Sequence, residues 1–536
     1  MKGKTVSALA VIAALVAAEA AFAGGQKEPS KSAQGPAQAG PTALVGGGTF
    51  RYAVVAESPH LDQQVLTSDA ATIIAQNVFE CLFTFDAGYN PVPMLAQGFQ
   101  VKDGGKLITL ELRKNVKFHN GKEMTSADVV ASLERWGKFG VRGPVLFSHI
   151  EKVEAPDAYT VNLVFKDVFA PWKSLLAFMN GGPAIYPKEI AQGTDQKPIP
   201  ETAYIGTGPY KFVEKKPGRY LLLEKFKDYS ARSESADGYA GKKTAYFDKL
   251  QFIPVPDVST RVNGVIAGDY DYAEQISGDL YDDLSANASV KTLVNEGAIF
   301  GLLFCNSKEG VLKNNPKLRQ ALLAAVNMTP VLQAAIGPKN LWSANGSILT
   351  AGSPWYSKAG LDNYSKGDAN KARSLAKEAG YNGEKITLMT SQAYKHHYDS
   401  CVVMTKQMKD AGFNIDMQVY DWATLISKRG DPKQWDLFFT HHGFVPDPAL
   451  LSFMNDSYAG WWVTDKKKAL AEELGKTIDE KARAAVWGKI QALVYEEVPV
   501  IKTGDIFSYD IASPKVIGFG KTQLIWPRLW DASFSK

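Results

Sequence analysis

A chain of 536 residues is too long for a single hydrophobic core, so two large domains are expected. Its 45% hydrophobic and 22% charged residues are ordinary for a globular protein. The net charge of +4 is small for this length and no long basic run occurs, which argues against a nucleic-acid partner.

The N-terminus reads as an export signal. Lys2 and Lys4 precede an apolar run from Val6 to Ala18, and Ala21-Phe22-Ala23 has the small-x-small pattern of a cleavage site. Residues 1–23 are therefore expected to be a signal peptide. Residues 24–47, small, polar and rich in Pro and Gly, are expected to be a flexible leader. No later stretch is apolar for long enough to span a bilayer, so delivery to a periplasm or the medium is expected.

The first strand is expected at 49–55 and a helix at 69–83, where Ile74, Val78, Cys81 and Leu82 recur at helical spacing. In 107–136, Ile108, Leu110 and Leu112 alternate with polar residues as in a half-buried strand, and Asn120-Gly121 marks a turn. Thr125, with Asp128 three residues on, caps a helix whose apolar face is Val129, Val130, Leu133 and Trp136. Another alternating strand is expected at 159–165, and 205–212 is a glycine turn leading into a strand. It is no dinucleotide fingerprint, because the third Gly is missing. A strand is expected at 297–306, followed by a helix from Pro316.

From Asp368 helices and strands alternate: helix 368–379, strand 385–390, helix 397–411, strand 413–419, a short helix from Trp422, then strand 435–440. That alternation predicts a largely parallel, helix-covered sheet. The next segment, HHGFVPDP (441–448), is expected to leave the strand, since Gly443 permits unusual backbone angles and Pro446 and Pro448 remove ladder donors. A short helix is expected at 449–454 and longer ones at 465–475 and 479–497.

Catalytic signatures are missing: there is no GxSxG, HExxH or GxxxxGK[ST], and no pair of carboxylates stands out. Cys81, Cys305 and Cys401 are far apart with no CxxC, which excludes a disulfide framework and a structural zinc site, and buried free thiols are expected. Of the seven histidines, His396 and His397 start a helix, where adjacent side chains diverge and suit surface or capping roles better than a metal. His441 and His442 follow a buried strand, so their side chains face opposite sides and one of them is expected in a cleft.

The 107–136 stretch resembles the signature of the family 5 solute-binding proteins of ABC importers, the dipeptide and oligopeptide group. IGTGPYKF (205–212), LRQALLAAVN (318–327), ARSLAKEAGY (372–381) and EEVPVIK (496–502) are similar to recurring segments of that family and occur in family order. The resemblance implies an α/β, two-lobed, hinge-closing periplasmic binding protein with mixed sheets. It places lobe I at 48–297, with an extra subdomain near 87–204, lobe II at 298–504, and a return to lobe I at 505–536. It further implies a binding function without catalysis or cofactor, a small-molecule ligand, an inner-membrane permease as partner and a monomeric state.

By the same resemblance Thr67, Ser68 and Asp69 face the ligand, and Trp422 and Arg429 reach it from lobe II with a π face and a donor fork. His441 and His442, Phe444 and the nearby acid Asp447 complete the expected site. One departure stands out. Where peptide binders place an Asp for the ligand's α-amine, this chain has Gly443 or Phe444, and neither pairs an ammonium. The ligand is accordingly expected to be peptide-like or opine-like, with a metal complex or haem as the alternative and a secreted hydrolase as the less favoured one.

Overall fold

The computed structural model describes residues 44–193, 197–519 and 525–536. The expected signal peptide and the leader up to residue 43 lie outside the described residues. The end of that leader is ordered: Leu44–Val45 pairs antiparallel with Ser533–Ser535.

Two long antiparallel strands, Lys291–Cys305 and Val500–Ala512, form the middle of an eleven-stranded sheet. On one side Leu437–Gly443 pairs antiparallel with Lys291–Cys305, then Ile386–Ser391 and Ile415–Tyr420 add on in parallel. On the other side come Tyr272–Ala273, Thr49–Val54 and Lys249–Pro254, the last two parallel, and then the hairpin Tyr220–Lys225 with Tyr210–Lys216. The predicted alternation thus yields its parallel strands, but the seam between them and the central strands is antiparallel. The sheet is mixed.

Residue periodicity explains the local structure. Leu107–Leu112 buries Ile108, Leu110 and Leu112 and joins a four-stranded antiparallel sheet with Ala96–Lys102, Ile150–Asp157 and Thr160–Phe165. Helix Ser126–Phe139 begins with the expected capping box, in which the Asp128 carboxylate accepts from the Thr125 backbone N–H at 2.8 Å. In the strand Leu437–Gly443 successive side chains enter different cores. Leu437 and Phe439 pack with Leu322 and Met404, whereas Phe438 packs with Met389 and Trp487. A separate core joins Phe50, Tyr52 and Phe252 to Leu110, Trp136 and Trp530, so the four-stranded sheet shares its apolar interior with the first half of the chain.

Three expectations need correction. The first helix is Asp69–Ala75, not 69–83, because the backbone at Asn77 and Val78 bonds the 205–212 turn instead. Gly208 N donates to Val78 O at 2.9 Å and Tyr210 N to Asn77 O at 3.0 Å. The strand expected to stop at residue 440 runs on to Gly443, since His441 and His442 pair with Gly301 and Phe300. The expected helix at 449–454 is two single 3-10 turns, Pro448–Leu450 and Ser452–Met454. All three cysteines are buried and free. Among the described residues no helix is long and apolar enough to cross a membrane.

Candidate ligand-binding cleft

A cavity of about 510 Å³ lies over the two central strands, floored by Asn295, Ile299 and 506–509, with Asp510 at the foot of one wall. One wall comes from Tyr52, Asp69, Glu274 and Trp526, the other from Tyr394, His396 and His441. A second cavity of about 530 Å³, between Trp172 and Trp355, has none of the buried, unpartnered side-chain atoms found among the described residues. The first cavity has several, and polar groups from distant segments converge on it, which marks it as the candidate site.

Its first wall is acidic. Strand Thr49–Val54 and the segment after Tyr272–Ala273 hold Glu274, whose carboxylate accepts from the Val55 backbone at 2.8 Å and from the Tyr52 hydroxyl at 3.2 Å. Burial pushes Glu274 up to about 7. Asp510, on Val500–Ala512, accepts from the Tyr272 hydroxyl at 2.6 Å and the Gln275 backbone at 2.8 Å, and burial raises it to about 6. The nearby Arg261 guanidinium is committed to the carbonyls of Val255, Pro256, Glu274 and Gln275. At the rim the Asp69 carboxylate accepts from Trp526 Nε1 at 2.9 Å. Asn295 is only 4% exposed, donates to Ile525 O at 2.9 Å, and leaves its Oδ1 without a partner.

The opposite wall is built of imidazoles. The first turn of helix Lys395–Asp410 carries His396 and His397, and the strand Leu437–Gly443 brings His441 against them. His397 Nε2 and His441 Nδ1 share a hydrogen bond of 2.8 Å, and one ring nitrogen from each of the three lies within 4.8 Å of the others. Tyr394 sits over the group, 4.8 Å from the His397 ring and 5.2 Å from His441. Burial lowers all three, His396 to about 4 and His397 to about 2, so the imidazoles are neutral near pH 7. The sequence reading of His396 and His397 as diverging surface groups is corrected here: His397 is 0% exposed.

The structure places the sequence-predicted residues as follows. Asp69 and His441 line the cavity. Ser68 caps the helix Asp69–Ala75, and Thr67 is exposed beside Gly181. Trp422 stands behind the wall with its ring edge-on to Tyr394 at 5.1 Å, whereas Arg429, at the far end of the same helix, donates to the Tyr458 hydroxyl at 3.1 Å. His442 faces away from His441. It stacks on Phe300 at 5.4 Å and accepts from the Ser452 backbone at 3.2 Å. Phe444 packs against Tyr89 at 4.8 Å, with Phe178 and Phe85 close by. Asp447 is fully buried in an ion pair with Arg483, so its carboxylate is spent on internal structure rather than on the cavity.

Sequence reasoning missed Glu274, Asn295, Asp510, Tyr394 and Trp526. Each is one polar or aromatic residue in an ordinary strand or loop, and only their distant pairing makes a wall. Doubled histidines at 396–397 and 441–442 were the one visible signal.

A mixed α/β fold of two lobes, with a polar cleft lined by segments far apart in the chain, defines a ligand-capturing binding protein. The comparisons agree: residues 90–462 match the "Bacterial extracellular solute-binding proteins, family 5 Middle", and the chain belongs to that family. It is 28% identical over 496 residues to a probable peptide ABC transporter periplasmic-binding protein of Sinorhizobium fredii, covering 88% of this chain and 90% of the relative. Its fold is similar to the substrate-binding protein CtaP of Listeria monocytogenes, with a TM-score of 0.79 and 22% identity over 92% of this chain and all (100%) of that one. It is also similar to AgaA of A. tumefaciens R10, solved with agropinic acid, with a TM-score of 0.68 and 22% identity over 91% and 99% of the two chains.

Proposed function

We propose that this protein captures a small organic solute, peptide-like or opine-like, between two closing lobes and hands it to an inner-membrane ABC permease after export to the periplasm. Binding, not turnover, is its task, and it works as a monomer. The observation that carries the reading is the cleft itself: about 510 Å³, with acids on one wall and neutral imidazoles on the other. In support, the Sinorhizobium relative is described as peptide-transporting and AgaA as holding agropinic acid.

The lobes in this reading are 48–297 with 505–536, carrying the subdomain near 87–204, and 298–504. The segregation of buried cores along the chain supports that division. Ligand contacts from both walls favour the closed arrangement, and the permease reads the lobes' relative position.

An amine on the ligand would find no acid at Gly443 or Phe444. Glu274 and Asp510 on the opposite wall, with Asp69 at the rim, supply that charge instead. A charge-assisted bond to either contributes about 1.5–3 kcal/mol.

Mass spectrometry of the natively purified protein, followed by a thermal-shift panel of dipeptides, oligopeptides and opines, tests the reading. A co-purifying solute of one of these classes, whose stabilising effect is reduced in Glu274→Gln, is the expected result. A protein that carries none of them and is unmoved by the whole panel would overturn it.

A further inference from the structure

The imidazole wall has chemistry that an organic solute pocket does not require. We propose that His396, His397 and His441 form a binding site for a late first-row divalent cation, carried as cargo in the cleft either bare or within a small chelate. The proposal rests on the solute-binding reading only in treating the metal as cargo.

Three features of the geometry support it. First, the donors converge: one nitrogen from each ring lies within 4.8 Å of the others. Two imidazoles on one tetrahedral ion, at about 2.0–2.1 Å each, place their nitrogens about 3.3 Å apart. The 2.8 Å contact of His397 with His441 needs to open only slightly to reach that spacing. The adjacent pair suits this because the third ligand comes from a different element, the strand Leu437–Gly443, which closes the gap that two neighbouring helical residues leave.

Second, ring nitrogens are left over. His396 Nε2 and His397 Nδ1 are buried and lack a hydrogen-bond partner, which is costly for imidazoles walled in by Tyr394, Trp422 and Phe439. A bound ion would take up His396 Nε2, whereas His397 Nδ1 lies across its ring from the Nε2 that meets His441 and is not used by the ion.

Third, the site is accessible and chemically selective. His396 and His441 line the cavity, so an ion can enter and keep open coordination positions towards the cleft. Three imidazole nitrogens in an aromatic shell favour nickel, copper or zinc over magnesium or calcium, which take oxygen ligands. His442 plays no part, because its ring is stacked on Phe300.

The test is isothermal titration of the full chain, free of any affinity tag and stripped of metal, with Ni²⁺ alone and Zn²⁺ alone. A parallel arm uses Ni²⁺ presented as its citrate complex, which separates chelate cargo from bare-ion cargo. One ion per chain at about micromolar affinity or tighter is expected in at least one arm. Affinity should fall at least about tenfold in His396→Gln and again in His441→Gln. His149→Gln, on the exposed Asp167 pair, should leave it unchanged.

Thermal melts check that each variant folds, and the visible spectrum of the Co²⁺-loaded chain reports nitrogen ligation independently. Absence of stoichiometric binding in every arm, or binding that survives both substitutions, overturns the proposal. Neither outcome touches the organic-solute reading, which the thermal-shift panel and Glu274→Gln examine on the other wall.

Discussion

Gly301 lies directly opposite Gly504 in the ladder of the two long strands at the middle of the large sheet, and the register breaks between Gly301 and Leu302. Gly504 has a φ of 148°, and a side chain there would stand 2.5 Å from Ser343 O. At Gly301 a methyl group would meet Thr503 Oγ1 at 2.4 Å. Two facing glycines at a register break give the crossing strands freedom to bend. Gly504→Ala is expected to cost about 1–3 kcal/mol of stability, and to reduce the ligand-induced compaction seen by small-angle scattering. A variant with wild-type melting and full compaction would show that the pair is not a bending point.

Asp447 and Arg483 form a buried ion pair, with Arg483 also lying over the Trp355 ring at 4.9 Å. Asp447→Asn leaves a buried guanidinium without its counter-charge and should cost about 3–5 kcal/mol in urea unfolding. Replacing both partners with apolar residues should cost less than Asp447→Asn alone. Because Asp447 stabilises the fold and not the ligand, any Asp447→Asn protein that still folds should keep its ligand affinity.

Glu274 and Asp510 make stability and ligand binding respond to pH in opposite directions. Burial raises the pair to about 7 and about 6 in the folded protein, above their ordinary values of 4.5 and 3.8. Their contribution to stability is therefore complete below about pH 4 and is lost as pH rises through 6 to 7. For Glu274 the loss is roughly 3 kcal/mol. The ligand-free protein should melt lower at pH 8 than at pH 5, with a shallower slope in Glu274→Gln. Affinity for a cationic ligand should rise over the same interval as the carboxylates ionise. Tyr52, Tyr272 and Arg261 face the pair as well, and only Arg261 carries a charge that opposes the trend.

Phe444 packs with the aromatic group of Tyr89, Phe85 and Phe178, which belong to the other lobe in the proposed division. Phe444→Ala removes that contact and should cost about 1–3 kcal/mol, and the ligand-free protein should expand in small-angle scattering. Unchanged dimensions would assign the residue to local packing alone.

Much of the fold can be read from the chain because short-range physics dictates it. The alternation of Ile108, Leu110 and Leu112 specifies a half-buried strand whatever lies beyond it. Thr125 and Asp128 set a helix start by satisfying its first backbone donors. The apolar run 437–439 announces a strand buried on both faces. Doubled histidines pointed to one wall of the cleft and Asp69 to the other, although not to how either wall converges.

Tertiary structure alone decided the rest. His441 and His442 extend their strand only because Phe300 and Gly301 are there to pair with them. Asp447 is a structural anion because Arg483, 36 residues on, reaches it. Glu274 and Asp510 become a cleft wall because strands more than 200 residues apart in sequence pack side by side. Local periodicity fixes which residues turn inward. It carries no record of which distant segment they meet there, and a ligand site is made of those meetings.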